Sequence, residues 1–362
     1  MNETLAKTDI KIEQVSTSRV HEVDFSNLQF GRMFCDHMFE MEYKDGAWAE
    51  PVVKPFGPVQ ITPAMNALHY GQAVFEGMKA FYVDENTVHL FRPKMHHARF
   101  NRSCRRMVIP ETDYETFIGA IETLIKLDKA WIPQESGTAL YIRPFIFASE
   151  DYLAARVSDE YKYYIITSPV GAYYAEGFNP VSLTTPDGYV RAVKGGTGEA
   201  KTAGNYAASF LPAKKAQERG YTQVLWLDAI EGKYIEEVGT MNIHFLKGDT
   251  LITPMLTGSV LSGVTRDSVI QIAKDWGYKV EERKVSIDEI FEASENGELT
   301  EIFGSGTAAV ISPVGKIEHN GKTLEIGNGK IGDFAKRMFD EITGIQYGKV
   351  EDRYDWVHEI NV

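Results

Sequence analysis

The stretch "SPVGAYYAEGFNP", residues 168–180, constrains the fold most, because it divides the chain in two. Gly171, Gly177 and Pro180 punctuate it, and residues of that kind interrupt periodic structure. Before it, strand-like runs "HMFEMEY" and "LYIRPFIFA" flank a segment, Tyr114 to Trp131, whose apolar residues recur at helical spacing. After it come a helical segment around Tyr206 to Arg219, the strands "QVLWLD" and "MNIHFL", and a helix from about Arg266 to Trp276. The strand "KVEERKV" and a closing helix near Ile331 to Ile342 complete the pattern. A length of 362 residues also suits two domains better than one. The expected class is α/β of the α+β kind, with a small N-terminal α+β domain over residues 1–170, a linker at 171–180 and a larger domain over 181–362.

Charge narrows the partners. The 51 acidic residues outnumber the 38 basic ones, a net charge of −13, which repels nucleic acid and anionic membrane surfaces alike. An anionic small molecule must then be met by local arginines and backbone amides. Cys35 and Cys104 are the 2 cysteines, far apart and without metal-type spacing, so neither a disulfide framework nor a zinc site is expected. The N-terminus lacks the apolar core of a secretory signal, and no run is long and apolar enough to span a bilayer. A soluble, cytoplasmic protein is expected, with no metal.

The segment "GGTGEAKT", residues 195–202, poses the central question. It is a near miss for a phosphate-binding P-loop, and "VLWLD" downstream resembles an apolar strand ending in a metal-binding aspartate. Ala200 stands where the second glycine should be, and its Cβ obstructs the tight turn that aims amides inward. The run leading into it, "GYVRAVK", is charged at both ends rather than a buried strand, and Asp228 in "DAIEGK" also reads as a hairpin turn. The other reading makes Lys201 an amine nucleophile, with Gly195, Gly196, Gly198, Ala200, Ala203 and Gly204 leaving space for a flat ring. A solvated loop lysine is the plain alternative.

A lysine-linked pyridoxal phosphate needs a phosphate anchor, a carboxylate for the ring nitrogen and a donor for the ring oxygen. Gly263, Val264 and Thr265 in "SGVTRDSV" precede a helix, whose first amides and dipole favour an anion, although an ordinary helix cap looks the same. Glu237 in "YIEEVGTMN" is the candidate carboxylate, with its neighbour Glu236 read as a solvated strand-end residue. Tyr206, five residues past Lys201, is the candidate donor or a helix-face core aromatic. "EEVGTMNIHFL" and "TEIFGSGTAAVI" echo one another, each setting a glutamate before Gly-Thr and an apolar run. Two such units would bring two Gly-Thr turns close together.

Taken together, "EAKTAGNYAAS", "EEVGTMNI", "LSGVTRDSV" and "FGSGTAAVISPVG" resemble the branched-chain amino acid aminotransferases of pyridoxal phosphate fold type IV. "HYGQAVFEGMKAF", "ARFNRSCRRM", "ALYIRPFIFA", "SPVGAYY", "QVLWLD" and "EITGIQYG" extend the resemblance, in order, over nearly the whole chain. It implies a two-domain fold whose larger domain is a mixed sheet or pseudo-barrel with helices. It also implies that Lys201 forms the Schiff base and shuttles the substrate proton, that Glu237 pairs with the pyridine nitrogen, and that Tyr206 meets the ring oxygen. Arg99, Val264, Thr265 and Thr307 would hold the phosphate, with Thr240 beside the ring. Phe30, Tyr70, Tyr141 and Tyr173 match the family's aromatic wall, and Arg143 matches its contact for the glutamate γ-carboxylate. The substrate α-carboxylate would rest on the amides of Thr307 and Ala308, helped by Tyr70.

The implied reaction moves the amino group of L-leucine, L-isoleucine or L-valine to 2-oxoglutarate. The implied assembly is a homodimer in which the loop "EDYLAARV", around Leu153 and Ala155, closes the neighbour's pocket. A D-amino acid aminotransferase or an aminodeoxychorismate lyase of the same fold is the nearest alternative, and a P-loop-like ATP-binding protein or a non-catalytic scaffold the more distant ones. Animal members carry a Cys-x-x-Cys pair just after the Gly-Thr-Ala turn; here Ala309 and Ser312 stand there, so thiol redox control at that place is excluded.

Overall fold

Alternating β-branched and aromatic residues give the N-terminal half its longest strands, as such residues pack well on a pleated surface. The computed structural model describes residues 9–171 and 178–362. They fall into two compact units, Met1–Tyr173 with Ile345–Val362, and Tyr174–Gly344. No helix among the described residues is long and apolar enough to cross a membrane.

The first unit is built on a sheet of 10 strands. Its members are β1 (Lys11–Ile12), β2 (His37–Lys44), β3 (Ala47–Trp48), β4 (Val52–Pro55), β5 (Ala73–Phe75), β6 (Met78–Asp84), β7 (Thr87–Phe91), β8 (Ala139–Ala148), β9 (Tyr161–Val170) and the C-terminal strand Val357–Asn361. The order is β1-β4-β2-β9-β8-β6-β7 and then the C-terminal strand. Three helices accompany it: α1 (Asn66–Tyr70), α2 (Pro93–Arg106) and α3 (Tyr114–Leu127). Helix α2 starts with proline at its first position, where no amide is needed, and Asp113 caps α3 by accepting from Thr116 N at 2.7 Å. Phe117, Ile121, Leu124 and Ile125 of α3 are wholly buried with Phe39, Phe100 and Tyr163. Truncating Phe117 to alanine would cost about 3–5 kcal/mol through lost burial and the cavity left behind.

The second unit has a sheet of 9 strands. These are β10 (Val181–Thr184), β11 (Gln223–Leu227), β12 (Ile235–Val238), β13 (Asn242–Lys247), β14 (Thr250–Pro254), β15 (Lys279–Arg283), β16 (Leu299–Gly306), β17 (Val310–His319) and β18 (Lys322–Glu325). Their order is β12-β11-β10-β17-β16-β13-β14-β15, with β18 on β17 and parallel pairing at β10–β11, β10–β17 and β14–β15. The helices are α4 (Ala203–Ala207), α5 (Phe210–Glu218), α6 (Val264–Asp275), α7 (Ile287–Glu295) and α8 (Asp333–Gln346). Ile243, Phe245, Leu225 and Ile317 lie at the centre of the core.

Several expectations are corrected. The C-terminal strand pairs with β7 from Val357↔Phe91 to Asn361↔Thr87, and Tyr347 donates its hydroxyl to Thr138 O at 2.7 Å. Ile345–Val362 therefore belongs with the N-terminal unit, not with a domain running to residue 362. That returning strand also means the N-terminal unit is not the smaller of the two. The single helix expected over Tyr206 to Arg219 is two helices, broken at Ala208 and Ser209. Most of the expected linker, 172–177, lies outside the described residues.

The sequence echo has a structural counterpart. Strands β13 and β16 pair antiparallel with Asn242 opposite Ser305, so the Gly239-Thr240 turn that opens β13 sits beside the Gly306-Thr307 turn that closes β16. Met241 packs over Gly304 and Gly306, where a Cβ at either glycine would press on its side chain.

Candidate active site

Lys201 stands at the entry to α4, and its amine donates to the Tyr206 hydroxyl at 3.0 Å. The segment before it is fixed by Asn205, whose side chain donates to Thr197 O at 2.7 Å and Ala200 O at 2.9 Å while accepting from Thr197 Oγ1 at 2.6 Å. Gly198 is pressed so closely on the Ser259 backbone and Ala192 that any side chain there would collide. The small residues of "GGTGEAKT" thus serve close backbone approach, and residues 185–202 hold no helix or strand leading into a P-loop. Asp228 is equally committed, accepting from the amides of Ile230, Glu231, Lys233 and Tyr234 in the turn between β11 and β12. The hairpin reading of Asp228 holds, and the metal-binding one does not.

Glu237, on β12, is 2% exposed. Its Oε2 lies 2.8 Å from Arg191 Nε and its Oε1 accepts from Leu261 N at 2.6 Å. Burial pushes its carboxyl above the usual range, and the charge of Arg191 with the Leu261 amide only partly offsets that; Lys201 adds a further favourable field and Glu236 an unfavourable one. Arg191 also donates to Ser259 O at 2.5 Å and, more weakly, to Gly198 O at 3.4 Å, which ties the lysine-bearing segment to the loop after β14. Arg191 was missed in the sequence, where "GYVRAVK" read as a charged run. Its one signal was an arginine in a segment preceding the glycine cluster, too weak to single out.

Asn242 completes the frame. Its side chain donates to Leu261 O at 2.9 Å, and its Oδ1 occupies the space a Cβ on Gly263 would need. Gly263 is the N-cap of α6 and, having no side chain, makes no cap bond of its own. Val264 and Thr265, both buried, open the helix. Contacts thus run from the Thr307 turn through Met241 and Asn242 to Gly263, Leu261, Glu237, Arg191 and Gly198. Thr240 is exposed in its turn, and Thr307 and Ala308 are half-buried in theirs.

The other expected residues lie in the first unit. Phe30 meets Tyr141 edge-on at 4.8 Å between ring centroids, and Arg143 Nη2 donates to the Tyr141 hydroxyl at 3.0 Å. Arg143 also lies 4.7 Å from the centre of the Phe75 ring, and its Nε is buried without a hydrogen-bond partner among the described residues. Gly77 makes room for the Tyr141 hydroxyl, since a Cβ there would overlap it. Tyr70 is 44% exposed and donates its hydroxyl to Leu153 O, in the loop expected to serve a neighbour. Arg99 is buried on α2 and forks onto Glu76 through Nε at 2.8 Å and Nη2 at 2.6 Å, a partner the sequence did not reveal. Tyr173 lies outside the described residues. Glu236, expected to be solvated, is instead buried at 7% exposure. Among the described residues no group of histidine, cysteine and carboxylate side chains has the form of a metal site.

The amino-transferase class IV family matches residues 73–317. The chain is 50% identical over 357 residues to branched-chain-amino-acid aminotransferase 2 of Bacillus subtilis, covering 98% of both proteins. It is 51% identical over 339 residues to branched-chain-amino-acid transaminase 1 of the same organism, covering 93% of this chain and 95% of that one. Among solved structures, it is similar to the branched-chain aminotransferase of the thermophilic archaeon Thermoproteus uzoniensis with norvaline, at a TM-score of 0.73 and 26% identity over 89% of this chain and 99% of that one.

Proposed function

The chain belongs to the amino-transferase class IV family, and on that premise we propose that it transfers the amino group of L-leucine, L-isoleucine or L-valine to 2-oxoglutarate by a ping-pong route, with pyridoxal 5'-phosphate as cofactor. The residues present fit that cofactor. A half-buried amine beside a phenol, a buried carboxylate left incompletely neutralised, and a helix start whose N-cap is glycine are the three kinds of partner it requires. The observation that carries the reading is Glu237: two donors within the protein leave its charge disfavoured, which suits a protonated ring nitrogen as the third.

Bound there, the cofactor supplies an electron sink for the charge that develops when the substrate Cα loses its proton. Lys201 would hold the cofactor at its aldehyde carbon and would carry the proton to and from the substrate Cα. Glu237 keeps the proton on the ring nitrogen, and Tyr206 orients the ring oxygen. Val264, Thr265, Thr307 and Arg99 hold the phosphate, and Thr240 flanks the ring. Thr307 and Ala308 receive the α-carboxylate on their amides. Phe30, Tyr70, Tyr141 and Tyr173 exclude water from the aliphatic side chain, while Arg143 receives the second carboxylate of 2-oxoglutarate. The buried, unpartnered Nε of Arg143 supports that role, because a buried guanidinium donor is costly unless something accepts from it.

We place the enzyme in the cytoplasm as a homodimer. Leu68, Tyr70, Tyr152, Leu153 and Val157 expose apolar surface around the Tyr70–Leu153 contact, in keeping with a loop that serves a neighbour's pocket. The test of the function is isotopic. The purified protein, loaded with pyridoxal phosphate and given ¹⁵N-L-leucine and 2-oxoglutarate, is expected to yield ¹⁵N-glutamate. Transfer from D-alanine but not from L-leucine would overturn the assignment.

A further inference from the structure

Glu236 is an unusual residue to bury beside Glu237. Successive residues of β12 face opposite ways, so the two carboxylates reach different residues. Glu237 takes the amide of Leu261, and Glu236 Oε1 accepts the hydroxyl of Ser259. The same short loop is therefore gripped at alternate residues by adjacent glutamates. Arg191 holds it a third way, through Ser259 O.

Asn242 also holds the loop through Leu261 O at 2.9 Å, and Val260 and Leu261 are buried, whereas its Thr257 end is less well anchored. On its Glu236 side lies a cavity of about 450 Å³, lined by Glu236, Thr257, Ser259, Met255 and Leu256 among others. Met255 and Leu256 are 41% and 44% exposed, so packing contributes little there. Thr257 is linked to Ser259 hydroxyl to hydroxyl at 2.8 Å, and Glu236 Oε2 is buried with no hydrogen-bond partner among the described residues. An unpartnered carboxylate oxygen is costly to bury, and it persists here because the other oxygen is needed on Ser259.

We propose that Glu236 is a positioning residue: by gripping Ser259 it fixes the loop over residues 257–261, and so keeps the Leu261 amide and Arg191 on Glu237. The inference rests on the function proposed above, for it is Glu237 that would meet the cofactor ring. Charge follows the same geometry. Arg191 is the guanidinium beside both carboxylates, Asp228 adds a negative field at Glu236, and Lys201 a positive one at Glu237. Burial pushes the Glu236 carboxyl above its usual range despite Ser259 and Arg191. An amide at 236 keeps an oxygen to accept from the Ser259 hydroxyl, and so should serve nearly as well as the acid.

The test compares Glu236→Gln with Glu236→Ala in two readouts. Without cofactor, backbone hydrogen exchange at Leu261 is expected to quicken at least tenfold in Glu236→Ala and to stay within about twofold of wild type in Glu236→Gln. With pyridoxal phosphate, the alanine variant is expected to bind at least tenfold more weakly and to shift the pH titration of the bound cofactor's visible absorption, with the glutamine variant restoring both. Unchanged exchange at Leu261 in the alanine variant would overturn the proposal, as would a glutamine variant as impaired as alanine. Should Glu236→Ala fail to fold, Ser259→Ala removes the same bond from the other side; it is expected to quicken Leu261 exchange, and no change would equally overturn the proposal. Wild-type protein that bound no pyridoxal phosphate would sink the function proposed above, while the exchange readout would still decide the role of Glu236.

Discussion

Glu76 and Glu237 are both buried acids facing an arginine, yet their surroundings treat them oppositely. Glu76 receives two bonds from Arg99, one from the Gly77 amide at 2.7 Å, and lies 3.2 Å from His96 Nδ1. Burial alone would raise its carboxyl, but Arg99 and His96 outweigh that and hold it well below the usual range. Glu237 receives one arginine nitrogen and one amide, and burial wins. A saturated carboxylate is a structural tie. An unsaturated one is poised for a partner, and perturbed groups of that kind mark functional sites.

The largest effect expected concerns Lys201, whose charge is part of the field at Glu237. Lys201→Ala should reduce amino transfer by about 10⁴-fold while far-ultraviolet circular dichroism stays native, since nucleophile and proton carrier are lost together. Near-normal turnover would remove the reason for Glu237 to be poised at all.

Next come the two glutamates themselves. Glu237→Gln keeps an oxygen for the Leu261 amide but cannot hold a proton on a ring nitrogen, so turnover should fall by roughly 10²-fold with a modest change in denaturation midpoint. Glu76→Gln cannot match the two-nitrogen fork of Arg99 and should lower stability by about 3–5 kcal/mol in a urea titration. Equal behaviour of the two variants in both assays would erase the distinction drawn between them.

Arg143→Ala is expected to raise KM for 2-oxoglutarate by about tenfold or more, the scale of one lost charge-assisted hydrogen bond, and to change KM for the leucine keto acid far less. Equal losses would mean that the carboxylate-receiving group lies elsewhere.

The smallest expected effect is the slope of stability with pH. Glu76 has its native value depressed, so below the unfolded carboxyl value near 4.5 the unfolded chain binds more protons. Its contribution is complete above that value and is lost as pH falls toward the native one. Glu237 has its native value raised, so between the unfolded value near 4.5 and the native one the folded protein binds more protons, and stability falls as pH rises. Cofactor-free Glu76→Gln and Glu237→Gln should therefore change the pH–stability slope in opposite directions, and slopes changing the same way would contradict the contrast.

Much of this was legible locally. Tyr114 to Trp131 carries helical spacing, and the structure has α3 there followed by a short 3₁₀ turn. The echo between the two Gly-Thr segments anticipated adjacent turns, because similar strand-and-turn units pair naturally as neighbours in one sheet. What sequence could not carry was non-local. The return of Val357–Asn361 to β7 depends on an edge at the far end of the chain, which no local period encodes. Arg191, Glu236 and Glu76 were hidden for a related reason: charged side chains read as solvated until a fold buries and pairs them.

The most direct test of the central claim, that Lys201 and Glu237 form a cofactor site, is borohydride reduction of the cofactor-loaded protein with peptide mapping of the fixed label. A visible band that bleaches on reduction, with the label on Lys201, is the expected result. Label on another lysine, or a protein that stays colourless with pyridoxal phosphate present, would contradict it.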